Sequence, residues 1–492
     1  MLEYLKNSAD MYTENGALAY SSSGSDCLDL FFKAGAFRNT DEQTISDAVV
    51  RAYCEDPDAA MKIIFFARDV RGGLGERRFF RIAVKTLADL APQSVIKNIE
   101  YFAEYGRYDD LMALLWTKCE AEAVKVIEKQ LNGDIAAMKA EQPVSLAAKW
   151  LPSVNTSSSD AVKAAKRLAR LMGVNDRQYR QTLSALRKYI DIIENYLRER
   201  DYTFDYSKQP SGAMFKYRKA FFNNDGERYT DYLESVKKGG VKLNTATLYP
   251  YQVTREILNR GLELTNEEID ALDVTWNSFT DTANSEDNAN ALVVADGSGS
   301  MYTEYNRSAA PITVALSLAI YFAERNKGEF AGHFITFSRS PKLVEIKGRN
   351  IFEKTHYCAK YGEVANTNLE AVFELILATA VRSKLPQKEL PERLYIISDM
   401  EFDYCVEGGN DDTLFDTERK IYEKYGYKLP DVIFWNVNSR SGCIPVRFTQ
   451  TGAALVSGAS PSIYNMVKSG DMSPEKIMRD IIGSERYAKI VG

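Results

Sequence analysis

The stretch Ala291-Leu-Val-Val-Ala-Asp296-Gly-Ser298-Gly-Ser300-Met301 constrains this chain most. An apolar run ending in an acid and a glycine-loosened, hydroxyl-rich turn reads as a buried parallel strand that delivers Asp296, Ser298 and Ser300 to one end of a sheet. Ligands of open α/β sheets bind at that carboxyl end. Oxygen-bearing side chains at alternate positions suit a hard cation such as Mg²⁺, which takes oxygen ligands and keeps several waters.

Other strand ends should then supply more oxygens. Leu394-Tyr-Ile-Ile-Ser398-Asp399 reads as a second buried strand closed by an acid, and Glu363-Val-Ala-Asn366-Thr367-Asn368 as a polar turn presenting a hydroxyl. Candidate strands at 291–295, 329–337, 342–347, 393–397, 431–437 and 453–456 alternate with helices at 309–325, 368–383, 417–425 and 460–468, which means a doubly wound sheet.

Upstream the texture is different. Apolar residues recur at helical spacing over 44–53, 58–68, 76–90, 95–105, 109–115, 121–140, 159–172 and 176–200, with capping residues such as Asp58, Ser94, Ser159 and Asp176 at their starts. Short breaks between helices point to an α-helical array with HEAT-like stacking, although no fixed period repeats. From 201 to 253 the periodicity weakens. The polar segment 278–290 reads as a boundary, giving two expected domains, 1–285 helical and 286–492 α/β.

The chain has 492 residues and a net charge of -6, but the charge is uneven. Lys149 to Arg260 carries 21 Lys and Arg against 12 Asp and Glu, and Lys62 to Lys85 seven against two. Such windows could hold a polyanion on an acidic protein; a solvated helix surface is the equal alternative. Within them Arg68, Arg71, Arg77 and Arg78 surround a Gly72-Gly73-Leu-Gly75 turn, an arrangement open to phosphate contact or to a tight turn with arginines paired to neighbouring acids. Lys163, Lys166, Arg167, Arg170, Arg187 and Lys188 form a second cluster. Lys216, Arg218 and Lys219 interleave with aromatic residues, as single-stranded RNA readers do, though such rings more often belong to a core.

No apolar run is long enough to cross a bilayer, and the first residues lack a signal peptide's basic and apolar regions, so a cytoplasmic protein without a membrane is expected. Six scattered cysteines and two histidines indicate neither a disulfide framework nor a zinc site. Hydrolytic chemistry is not expected: Ser298 lacks the G-x-S-x-G context, and Glu401 and Asp403 read as surface acids on a loop rather than bases.

Asp296-x-Ser298-x-Ser300, Thr367 and Asp399 together resemble the metal-ion-dependent adhesion site of von Willebrand factor A domains. That resemblance implies hydroxyl ligands from Ser298, Ser300 and Thr367, with Asp296 and Asp399 acting directly or through waters. One position is left for a partner's acidic group. A helical array followed by such a domain resembles the Ro/TROVE RNA-binding proteins. Across nearly the whole chain, Asn15-Gly-Ala-Leu-Ala-Tyr20, Arg68-Asp-Val-Arg-Gly-Gly-Leu-Gly-Glu76, Leu186-Arg-Lys-Tyr-Ile190 and Val432-Ile-Phe-Trp-Asn436 resemble an uncharacterised TROVE-like family. The resemblance implies a non-enzymatic, monomeric RNA-binding protein for small non-coding or misfolded RNA. The alternative is a metal-dependent protein-protein adaptor.

Overall fold

A computed structural model of the chain describes residues 10–14, 16, 18–279, 290–303, 309–326, 330–337, 340–362, 368–402, 414–438, 442–467 and 472–492. In chain order, a short hairpin of β1 (Met11–Tyr12) and β2 (Leu18–Ala19) leads into helix α1 (Asp26–Ala34). Helices α2 (Glu42–Glu55), α3 (Pro57–Arg68), α4 (Arg77–Leu90), α5 (Glu120–Lys139), α6 (Ser159–Leu171) and α7 (Asp176–Tyr189) follow. Next come α8 (Ser211–Lys237), α9 (Pro250–Arg260) and α10 (Asn266–Asn277). The remainder alternates: β3 (Ala291–Asp296), α11 (Pro311–Arg325), β4 (His333–Phe337), β5 (Leu343–Glu345), α12 (Ile351–Ala359), α13 (Leu369–Ser383), β6 (Arg393–Ser398), α14 (Leu414–Lys424), β7 (Asp431–Asn436), β8 (Ala453–Ser457) and α15 (Pro474–Ile482).

The chain forms two compact units, residues 1–41 with 210–484, and 42–209 with 485–492. The first is built on a six-stranded sheet of order β5-β4-β3-β6-β7-β8, parallel except for β5. From β3 the chain moves to β4 on one side and later to β6, β7 and β8 on the other. The strand order therefore reverses between β3 and β6, and a crevice opens there at the carboxyl ends. Every residue of β3 and β6 is buried, which is why 291–295 and 394–397 within them read as apolar runs. Helices α9 and α10 pack on α11 and α12, and α1 packs on β8.

The second unit is helical. Asp56 caps α3 by accepting from the Ala59 N–H, Ser158 caps α6 and Asn175 caps α7. The expected helices 95–105 and 176–200 are each interrupted: the first breaks into short turns from Pro92 to Tyr105, and the second stops at Tyr189 and resumes at Ile193. The stretch from 201 to 253, where periodicity weakens, contains the long helix α8. Its two halves meet at Asp225, whose backbone is not helical (φ -147°, ψ 40°). The buried residues of the helix, Ser211, Met214, Arg218, Phe221, Tyr229 and Leu233, include an arginine and a serine, which blurs the apolar period in the sequence.

Candidate metal centre at the sheet switch

Strand β3 ends on Asp296, and Gly297 releases the chain into a turn of 3-10 helix at Gly299–Tyr302. Asp296 is fully buried. Its Oδ1 accepts the Ser298 N–H at 2.8 Å, which folds the loop back over the strand end. The Ser298 and Ser300 hydroxyls lie 3.0 Å apart. The D-x-S-x-S spacing thus places two hydroxyls beside one buried carboxylate.

The neighbouring strand completes the arrangement. Ser398, the last residue of β6, donates its hydroxyl to Asp296 Oδ2 at 2.6 Å and accepts the Met400 N–H at 3.0 Å. Asp399 follows, buried, with Oδ1 receiving the Glu401 N–H at 3.4 Å. Burial, then the charge of Asp399, pushes the Asp296 carboxyl up to about 7 against the downward pull of Ser398 and Ser298. Two buried acids that disfavour each other's ionisation form a site whose charge a divalent cation would neutralise. No group of three or more His, Cys, Asp or Glu residues among the described residues is arranged to hold a metal, so any cation here relies on serine hydroxyls as well as carboxylates. Thr367 and Asp403 lie outside the described residues.

Glu401, expected as a surface acid on a loop, is instead buried. Its carboxylate accepts the Glu14 N–H at 2.8 Å, and Thr13 donates its hydroxyl to the Phe402 carbonyl. The arm before α1 therefore packs against the loop after β6. Beside Asp296 is a cavity of about 300 Å³ walled mainly by apolar side chains of α11, β4 and α12, with Tyr302 at its edge. Burial and the Asp296 charge raise the Tyr302 phenol above its ordinary value.

The basic residues divide into internal and external sets. Arg68, 2% exposed, is held by Asp110 at 2.7 Å and presents no surface to a polyanion. Arg218 is buried against Glu256. Arg187 spends its guanidinium on the Ala148 and Leu151 carbonyls and the Ser153 hydroxyl. Arg167 grips Glu120 through both carboxylate oxygens. Lys219 and Lys216 are exposed, the first 3.6 Å from Glu268 and the second bonded to the Tyr217 hydroxyl. The rings expected beside them, Phe221 and Phe222, pack edge-on against Tyr229 in the core. Arg71, Arg77 and Arg78 are exposed, as are Lys163, Lys166, Arg170 and Lys188.

The glycine-rich turn has a local occupant. Asp69 receives the Arg71 N–H, the Arg486 guanidinium and the Tyr487 hydroxyl. A Cβ at Gly72 would come 2.7 Å from Arg486 Nε, and one at Gly73 2.0 Å from the Phe66 carbonyl oxygen. The Phe66 backbone requires glycine at position 73, while at position 72 the neighbour is the flexible end of the Arg486 side chain, so protein packs closely on this turn. Sequence reasoning missed Ser398, although it precedes a singled-out acid. Arg177 and Arg180, within the Lys163 to Lys188 stretch, are also exposed on α7.

The sequence profile described as "Domain of unknown function (DUF2828)" matches residues 13–132 and 156–291, more than half of the chain. A second, "Domain of unknown function (DUF7788)", matches 290–483. The "Uncharacterized protein L728" of Acanthamoeba polyphaga mimivirus is 29% identical, over 94% of this chain and 85% of that protein. Among solved structures, the Deinococcus radiodurans RO (RSR) protein is 12% identical, covering 97% of each chain with a TM-score of 0.35.

Proposed function

The chain belongs to the family described as a domain of unknown function, DUF2828, and on that premise we propose that it is a non-enzymatic interaction protein whose α/β unit is von Willebrand factor A-like and binds a divalent cation, most simply Mg²⁺. The observation that carries this reading is the convergence of Asp296 and Asp399, both buried, with the paired hydroxyls of Ser298 and Ser300 at the switch between β3 and β6. These are hard oxygen donors, the chemistry Mg²⁺ prefers. Thr367 joins the set by resemblance. Ser398 and the Ser298 N–H hold the Asp296 carboxylate in one orientation. A bound cation would supply a positive point to which an acidic group of a partner attaches. Mn²⁺ binding followed by electron paramagnetic resonance tests this: saturable binding to the wild type that Asp296→Ala and Ser300→Ala remove supports it, and equal weak binding by all three sinks it.

A second reading, RNA binding, is favoured by one surface of the helical unit. Lys163, Lys166 and Arg170 share a face of α6 by their spacing of three and four, and Arg177, Arg180 and Lys188 line a stripe of α7, all exposed. Cations so placed contact phosphates without reading sequence. Fluorescence anisotropy of a tailed structured RNA across a salt series, with and without EDTA, tests it. Affinity that falls steeply with salt and survives EDTA is expected. Absence of binding at low salt ends this reading.

A further inference from the structure

Trp116 is exposed to 62% of its full surface while its backbone sits at φ +62°, a left-handed conformation. An L residue with a Cβ is strained there, and glycine would hold the same turn at lower cost. Burial of the ring gives no reason for tryptophan. No ring or cation stacks on it among the described residues.

The turn is held from outside. The Trp116 N–H donates to Glu120 Oε1 at 2.9 Å, and the same carboxylate receives Arg167 Nε at 2.9 Å and Nη2 at 2.6 Å. Arg167 lies on α6 between Lys166 and Arg170. One carboxylate therefore fixes the tryptophan turn against the exposed basic helix. A flat ring beside cations that can follow a backbone is the arrangement that grips an unpaired nucleobase. A base inside a duplex has no free face to offer.

We propose that Trp116 is a stacking platform for a nucleobase of single-stranded RNA, with Lys166 and Arg170 taking the adjoining phosphates. This rests on the RNA reading above and sharpens it: the surface prefers unpaired RNA to duplex because of one ring.

The test uses the full chain, an oligouridylate of about ten nucleotides and a duplex of equal length. Of the four tryptophans, Trp276 and Trp435 are buried and Trp150 lies under Arg107, so quenching of indole fluorescence by the oligouridylate reports on Trp116. Expected are quenching in the wild type and binding weakened about tenfold or more in Trp116→Gly. Trp116→Phe should retain most of the affinity. Trp116→Gly should melt no lower than the wild type because the strain is relieved, which separates lost binding from lost folding. If Lys166→Glu with Arg170→Glu weakens binding while Trp116→Gly binds as the wild type does, the stacking platform is overturned and the RNA reading stands. If no variant nor the wild type binds at low salt, the RNA reading itself has failed, and the platform with it. If Trp116→Gly instead changes only the oligomeric state, the ring belongs to a contact between copies and the proposal is overturned.

Discussion

Ser398 and Asp296 end adjacent parallel strands, and the Ser398 hydroxyl donates to Asp296 Oδ2 across 2.6 Å. This bond orients one buried carboxyl beside another, Asp399, and burial with the Asp399 charge opposes ionisation of Asp296. In the absence of divalent cation, Asp296→Asn should therefore raise stability, by about 1–2 kcal/mol, since the amide oxygen still accepts the Ser298 N–H and the amide NH2 can donate to the Ser398 hydroxyl, whose bond reverses direction. Mg²⁺ should stabilise the wild type by about 2.7 kcal/mol at a hundredfold excess over Kd and leave the variant unmoved. Thermal unfolding with Mg²⁺ or EDTA reads both; equal Mg²⁺ shifts in the two proteins would falsify the metal site.

Glu418, on α14, is buried, and neither of its carboxylate oxygens has a hydrogen-bond partner among the described residues. Burial, then the charges of Glu370 and Glu374, pushes its carboxyl from 4.5 up to about 8. The folded state thus holds this proton more tightly than the unfolded chain. Its contribution is greatest below about pH 4.5 and is lost as pH rises to about 8. Glu418→Gln should flatten that slope and raise the melting temperature on the alkaline side. Parallel pH profiles for the two proteins would show that the carboxyl is ionised without cost.

Asp110 is buried and receives Arg68 at 2.7 Å, Arg81 at 2.8 Å and the Arg107 N–H at 3.0 Å. Removing it leaves a wholly buried guanidinium without its carboxylate. Asp110→Ala should cost about 3–5 kcal/mol in chemical denaturation, and replacing Arg68 and Asp110 together by apolar residues should cost less. A loss below about 1 kcal/mol for the single change would contradict the buried pairing.

The segment 485–492 is part of the helical unit. Asp69 holds Arg486 and Tyr487, Tyr105 stacks on Tyr487 with centroids 5.8 Å apart, and Asn98 brackets Val491 through its carbonyl and its N–H. Arg486→Ala should lower stability by about 1.5–3 kcal/mol, and Tyr487→Phe by about 1 kcal/mol. Burial alone would raise the Asp69 carboxyl, but Arg486 and the neighbouring N–H groups hold it below 3.8. That contribution is present above about pH 4 and disappears as pH falls further. Denaturant midpoints measured down the acid range check it: the gap between wild type and Arg486→Ala should close in acid.

The D-x-S-x-S loop and the Asp399 strand were legible because each is a local pattern: a buried parallel strand must be apolar until its end, where the first polar residues face the crevice. Helix α8 was not, because its buried positions include Ser211 and Arg218 and the helix is broken at Asp225, so no continuous apolar period runs through it. The basic clusters were legible as charge but not as surface. Arg68 and Lys163 look alike in sequence, yet one is 2% exposed and the other 71%.

Local pattern was enough to place the strands after residue 290, helices α11, α13 and α14, and the oxygen-rich end of β3, since hydrophobic period and capping act over a few residues; it missed α12 and α15 and placed at 460–468 a helix that is only Ile463–Met466. It took the folded chain to bring residues 1–41 and 210–277 onto the sheet, to set Ser398 against Asp296, and to seat Arg486 at the Gly72-Gly73 turn. Those outcomes depend on pairings across tens to hundreds of residues, where burial and hydrogen-bond geometry, rather than any local pattern, choose the partner.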